Sequence, residues 1–147
     1  MSQTPVQPHP EVARATGVVL FGGVLMTQFL GLPLGFRLES YLGVIMILSG
    51  LLAWAGAVGL LADGGRPVWW YALANGTSTI FAWFFTYLFG LPVTETSYKG
   101  QWSDRNGLLL LFFSGNLVML SAWVLRTRQR NTGLPVVSAR DRVNKQA

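Results

Sequence analysis

Cysteine is absent from this 147-residue chain, and its single histidine is His9. The first absence removes disulfides, thiolate metal sites, iron–sulfur clusters and Cys-x-x-Cys redox chemistry, and leaves the redox compartment open. The second removes axial haem ligation, imidazole metal centres and histidine bases from all but the first few residues. Charge is scarce too: 12% of residues are Asp, Glu, Lys or Arg, against about 25% in an ordinary soluble domain. A water-soluble helical bundle needs polar stripes along its outer faces, and this composition cannot supply them.

The charges also avoid four stretches. Residues 15–36, 40–62, 67–94 and 106–125 contain none, and each reaches the roughly 20 residues needed to cross a hydrocarbon core of about 30 Å. Each is apolar all round rather than along one stripe. The pattern predicts an all-α integral membrane protein, a four-span transmembrane helical bundle with spans of about 15–36, 40–62, 67–93 and 106–126. The first span is longer than the apolar core of a signal peptide and lacks a following small-x-small site, so it is expected to be retained. Residues 1–14 read as a flexible leader rich in proline, 15–126 as the bundle, and 127–147 as a basic tail.

Orientation follows from the basic residues, because cytoplasmic loops carry the excess of Lys and Arg. With both termini inside, eight lie there (Arg14, Arg66, Arg126, Arg128, Arg130, Arg140, Arg142, Lys145) and three outside (Arg37, Lys99, Arg105). The formal net charge of +5 therefore belongs to a membrane surface and not to nucleic acid. Arg126, Arg128 and Arg130, next to the last span, are the candidate contacts for anionic headgroups. The compact design points to the plasma membrane, of the bacterial inner-membrane type.

Two Gly-Leu-Pro triplets, at 31–33 and 90–92, are expected to stop spans one and three at the outer face, since proline cannot continue a helix and glycine favours the left-handed cap. A Ser-Gly pair in each following span, Ser49-Gly50 and Ser114-Gly115, suggests two tandem helical hairpins. A third triplet at 133–135 shows how easily the match arises. Pro67 suits the first turn of span three, and Ser103 or Asp104 suits the cap of span four. Trp69, Trp70 and Tyr71 inside, and Tyr87, Tyr98 and Trp102 outside, are expected at the headgroup level. Small residues make the seams on which membrane helices meet: Ser49, Ala53, Gly56 and Leu60 on span two, and Ala72, Asn75, Gly76, Thr79 and Ala82 on span three.

Polar side chains inside the spans are few. Gln28, Asn75 and Asn116 lie roughly 16, 12 and 15 Å from the inner ends, counting about 1.5 Å per residue, and with Ser78 and Thr79 they form the candidate intramembrane polar cluster. Asn116 sits in an aromatic stripe with Leu109, Phe112, Phe113, Leu120 and Trp123, while Ser114 and Ser121 point away from it. Its expected partner is Asn75 or Gln28, or a group on another subunit. Interhelical bonding without further function is the plainer reading of this level; a polar path for a solute is the sharper one.

No Asp, Glu, Lys or Arg lies in the interior of any span, which argues against proton-coupled exchangers of the small multidrug type, where a mid-depth carboxylate does the work. The outer carboxylates Glu39, Glu95 and Asp104 show no catalytic or ligand spacing. No enzyme motif, cofactor or metal site is expected. The leading expectation is a non-catalytic accessory or scaffold subunit of a membrane complex, or a self-associating bundle, whose partners are the bilayer and either a membrane protein or a second copy. The alternative is a small channel or carrier for a neutral or amphipathic solute.

Overall fold

The computed structural model describes residues 10–90 and 105–132, and these form four helices with no strand among them. They are α1 (Pro10–Leu38), α2 (Ser40–Ala62), α3 (Arg66–Phe89) and α4 (Arg105–Thr132). Three helical stretches, Pro10–Arg37, Ser40–Ala62 and Arg105–Arg130, are long and apolar enough to cross a membrane. Helix α3 is long enough but less apolar, because Trp69, Trp70, Tyr71 and the Asn75–Thr79 stretch lower its mean hydropathy.

The helices run up and down and stand in a ring in chain order. Neighbours α1–α2, α3–α4 and α1–α4 pack closely, whereas α2 and α3 meet over few residues. Glycine sets the closest approaches: a Cβ at Gly56 of α2 would overlap the Phe21 ring of α1, and one at Gly76 of α3 would lie 2.8 Å from Val118 Cγ2 and 3.1 Å from the Ser114 carbonyl of α4. Of the expected seams, Ala53, Gly56 and Leu60 on α2 and Ala72 and Gly76 on α3 are buried, whereas Ser49, Asn75 and Thr79 are half-buried and Ala82 is exposed. On α4 the buried line is Gly107, Ser114, Leu117, Ser121 and Val124.

One expected helix stop is corrected. Helix α1 does not stop at Gly31-Leu32-Pro33; it carries Pro33 inside and ends at Leu38. Gly31 and Gly35 are used for packing instead, with Met46 Sδ at 3.4 Å and the Gly43 backbone nitrogen at 3.3 Å from where their Cβ atoms would be. Pro33 faces outward, so its ring meets no neighbouring helix. The chain then turns at one extended residue, Glu39 (φ −157°, ψ 137°), whose carbonyl accepts from Leu42 N at 3.1 Å. The triplet at 90–92 behaves differently: Gly90, at φ 83°, ends α3 and donates to Thr86 O at 2.9 Å. Helix α1 begins at Pro10 and α4 continues to Thr132. The Ser-Gly pairs are not equivalent, because Gly50 is the buried member in α2 and Ser114 in α4. Pro67 does occupy the first turn of α3. Ser103, Asp104, Tyr98, Trp102, Glu95, Lys99 and the triplet at 133–135 lie outside the described residues.

Candidate functional site: a cleft between two parted helices

The end of the bundle that carries the α2–α3 turn is tightly closed. Gly64 takes a left-handed conformation (φ 60°) that a glycine adopts without penalty, and its N–H reaches back to Gly59 O at 3.2 Å. Its carbonyl accepts from Trp69 Nε1 and from Arg128 Nη2, each at 3.1 Å. From α1, Arg14 Nε donates to Leu60 O at 2.9 Å and Nη2 to Leu61 O at 2.8 Å, satisfying carbonyls that the end of α2 would leave open. Side chains from α1, α3 and α4 therefore converge on one turn. Above it lie Phe21, Leu60, Trp69 and Leu117, all fully buried, and then Tyr71, whose hydroxyl donates to Leu52 O of α2 at 2.7 Å.

Beyond the Tyr71–Leu52 bond α2 and α3 part. The gap is a cleft of about 500 Å³ running toward the opposite end, with walls from all four helices. Its deepest side chains are Gln28, Ser49, Leu52 and Asn75, and its far end is marked by Thr86, Tyr87 and Asn106. Between them the lining is mostly apolar, including Leu34, Ile45, Met46, Leu48, Trp83 and Leu110. None of the lining residues carries a charge.

Four of the five polar residues singled out from the sequence line this one cleft: Gln28, Asn75, Ser78 and Thr79. Gln28 Nε2 donates to Ser49 Oγ at 3.0 Å, joining α1 to α2. The hydroxyls of Ser78 and Thr79 donate to the Asn75 carbonyl at 2.9 and 2.8 Å. The Asn75 side-chain amide has no hydrogen-bond partner among the described residues.

Asn116 is elsewhere. It is exposed on α4, its Nδ2 donates to Phe112 O at 2.7 Å on its own helix, and the expected contact with Asn75 or Gln28 is not formed. The aromatic stripe of α4 is divided: Phe112 is 61% exposed and Trp123 45%, Phe113 and Leu120 are half-buried against the core, and Ser114 and Ser121 are fully buried. Small hydroxyl residues let helices close up where an aromatic stripe would hold them apart.

Of the three tail arginines, Arg126 and Arg130 are exposed, and Arg128 is half-buried with its bond to Gly64. Arg14, Tyr71 and Ser49 were not singled out as polar site residues, although Ser49 was placed on the α2 seam. For Arg14 there was no local signal, since only the fold brings the start of α1 to the end of α2. Trp69 is wholly buried instead of lying at a surface belt, and Trp70 beside it is half exposed. Among the described residues no group of acidic or imidazole side chains is placed to hold a metal ion.

Comparison with known proteins returns no matching family model, no matching curated protein and no matching solved structure.

Proposed function

We propose that the chain is a four-span integral membrane protein with both termini cytoplasmic, and that it works without catalysis, as an accessory or scaffold subunit of a membrane assembly. The outward faces support insertion: Phe29, Phe81, Phe89 and Met119 are each at least 70% exposed, an arrangement that is unfavourable in water and natural in lipid. Helix α3 crosses with the others because its length matches theirs and Asn75, Ser78, Thr79 and Thr86 line the cleft. The positive-inside distribution puts the α2–α3 turn, with Arg14, Arg66 and Arg128, on the cytoplasmic side.

The single observation that carries the non-conducting reading is the closed floor. Phe21, Leu60, Trp69 and Leu117 fill the cytoplasmic half, and none of the cleft's lining residues comes from that half's last turns. A channel needs a route through both halves. The second reading, a carrier for a neutral or amphipathic solute, is favoured by the cleft itself and requires α2 and α3 to exchange their open and closed ends.

The test is purification of the full chain in mild detergent with mass spectrometry of what accompanies it, beside flux of neutral solutes into liposomes. A stoichiometric membrane-protein partner, or self-association, without flux is expected. Saturable flux abolished by Asn75→Leu would replace the scaffold reading with the carrier.

A further inference from the structure

We propose that the cleft between α2 and α3 is a binding site for a neutral lipid, one with an apolar chain and a hydroxyl or carbonyl group that hydrogen-bonds to Asn75 at the floor. The inference rests on the membrane reading of the helices and goes beyond it by naming what the cleft holds.

Size comes first. Small-molecule sites run from about 300 to 1,000 Å³, mostly apolar with a few placed polar groups, and this cleft of about 500 Å³ falls within that range. Along α3 the cleft extends from Asn75 to Tyr87, about 18 Å at 1.5 Å per residue.

Charge selects within the remaining ligands. No lining residue is ionisable in the physiological range, so a phosphate or carboxylate drawn into the cleft would lose its hydration with nothing to replace it. A neutral molecule loses far less.

Hydrogen bonding sets the polar end. The amide nitrogen of Gln28 is engaged by Ser49, but its Oε1 is left as an acceptor, and Asn75 offers an amide with both donor and acceptor unused. These groups lie at the deep end of a mostly apolar wall, where an unmet amide is costly and a ligand hydroxyl or carbonyl satisfies it. The chain of such a ligand then lies along Leu48, Ile45 and Leu34, entering sideways through the gap that α2 and α3 leave.

The experiment uses the full chain in detergent, titrated by native mass spectrometry with mono-oleoylglycerol as the neutral probe, and with oleate and a plain alkane as contrasts. One mono-oleoylglycerol per chain is expected, bound at least tenfold more tightly than either contrast. Asn75→Leu should weaken it three- to tenfold, the loss of one hydrogen bond, and Ala82→Trp, at an exposed position on the cleft wall, should block it; circular dichroism verifies that both variants are helical. Ser78→Phe serves as a second block if the tryptophan variant does not fold. Equal binding of oleate, equal binding of the alkane, or retention of binding in a folded blocked variant overturns the inference. So does a membrane-inserted wild type that binds no lipid, whereas recovery of the chain in the soluble fraction overturns the membrane reading beneath it.

Discussion

At the scale of single residues, the most connected position is Gly64. Its positive φ costs an L-residue about 1–2 kcal/mol, and a Cβ there would also lie 2.7 Å from Arg14 Nε and 2.8 Å from its Cδ. Gly64→Ala therefore strains the backbone and displaces the arginine that holds the end of α2. Arg14→Met removes the two donors and leaves the Leu60 and Leu61 carbonyls to find other partners, a loss of about 2 kcal/mol for bonds made by a charged group. Because both changes act on one contact, the double variant is expected to be less destabilised than the sum of the singles. Unfolding of the four proteins in mixed micelles measures this, and strict additivity would mean that Gly64→Ala does not act through the Arg14 bonds. Arg14→Lys should recover only part of the loss, since an ammonium cannot span two successive carbonyls as a guanidinium fork does.

At the scale of helices, the glycines divide by what faces them. A Cβ at Gly76 meets Val118 and the Ser114 carbonyl, and backbone cannot swing aside as a side-chain tip can, while Gly22 and Gly115 face open space. Gly76→Ala should cost about 1–3 kcal/mol by forcing α3 from α4; Gly22→Ala and Gly115→Ala should gain about 0.5–1 kcal/mol from helix propensity. Opposite signs for one chemical change would be read directly from the unfolding midpoints, and a loss at Gly22 equal to that at Gly76 would refute the assigned packing. The sequence made these seams partly legible. Length and charge gaps located the helices, and small residues marked the buried faces of α2 and α3. On α4 the same rule, applied to Ser114 and Ser121, would have found the buried face, but the rarer amide drew attention to the outward one. The two Gly-Leu-Pro triplets were not separable locally, because whether a glycine caps or packs depends on what stands opposite it, and only Gly31 has Met46 and the next turn's Gly35 beside Gly43.

At the scale of the whole molecule, the bundle is asymmetric along its length: one end is held by arginines and a buried tryptophan, the other opens between α2 and α3. Depth counting brought Gln28 and Asn75 to one level, yet the cleft between them was not legible, since a gap is set by how two helices splay and not by either sequence alone. The asymmetry predicts a pattern of reactivity that the cysteine-free chain is suited to report. Single cysteines at Ser78 and Ser49, on the cleft wall, should react with a small membrane-permeant maleimide, and mono-oleoylglycerol should protect them if it occupies the site. Cysteines at Ala72 and Ala53, both fully buried, should stay unreactive until the protein unfolds, because neither lines the cleft. An impermeant maleimide added to sealed cells should label a cysteine at Ser40, at the start of α2, and spare one at Ala62, at its end, if the α2–α3 turn is cytoplasmic. Labelling of Ala62→Cys alone would invert the orientation and leave the closed floor intact, whereas ready modification of Ala72→Cys or Ala53→Cys in the folded protein would open that floor and make the carrier the better account. The three results are independent, so the position of each cysteine decides which part of the description fails.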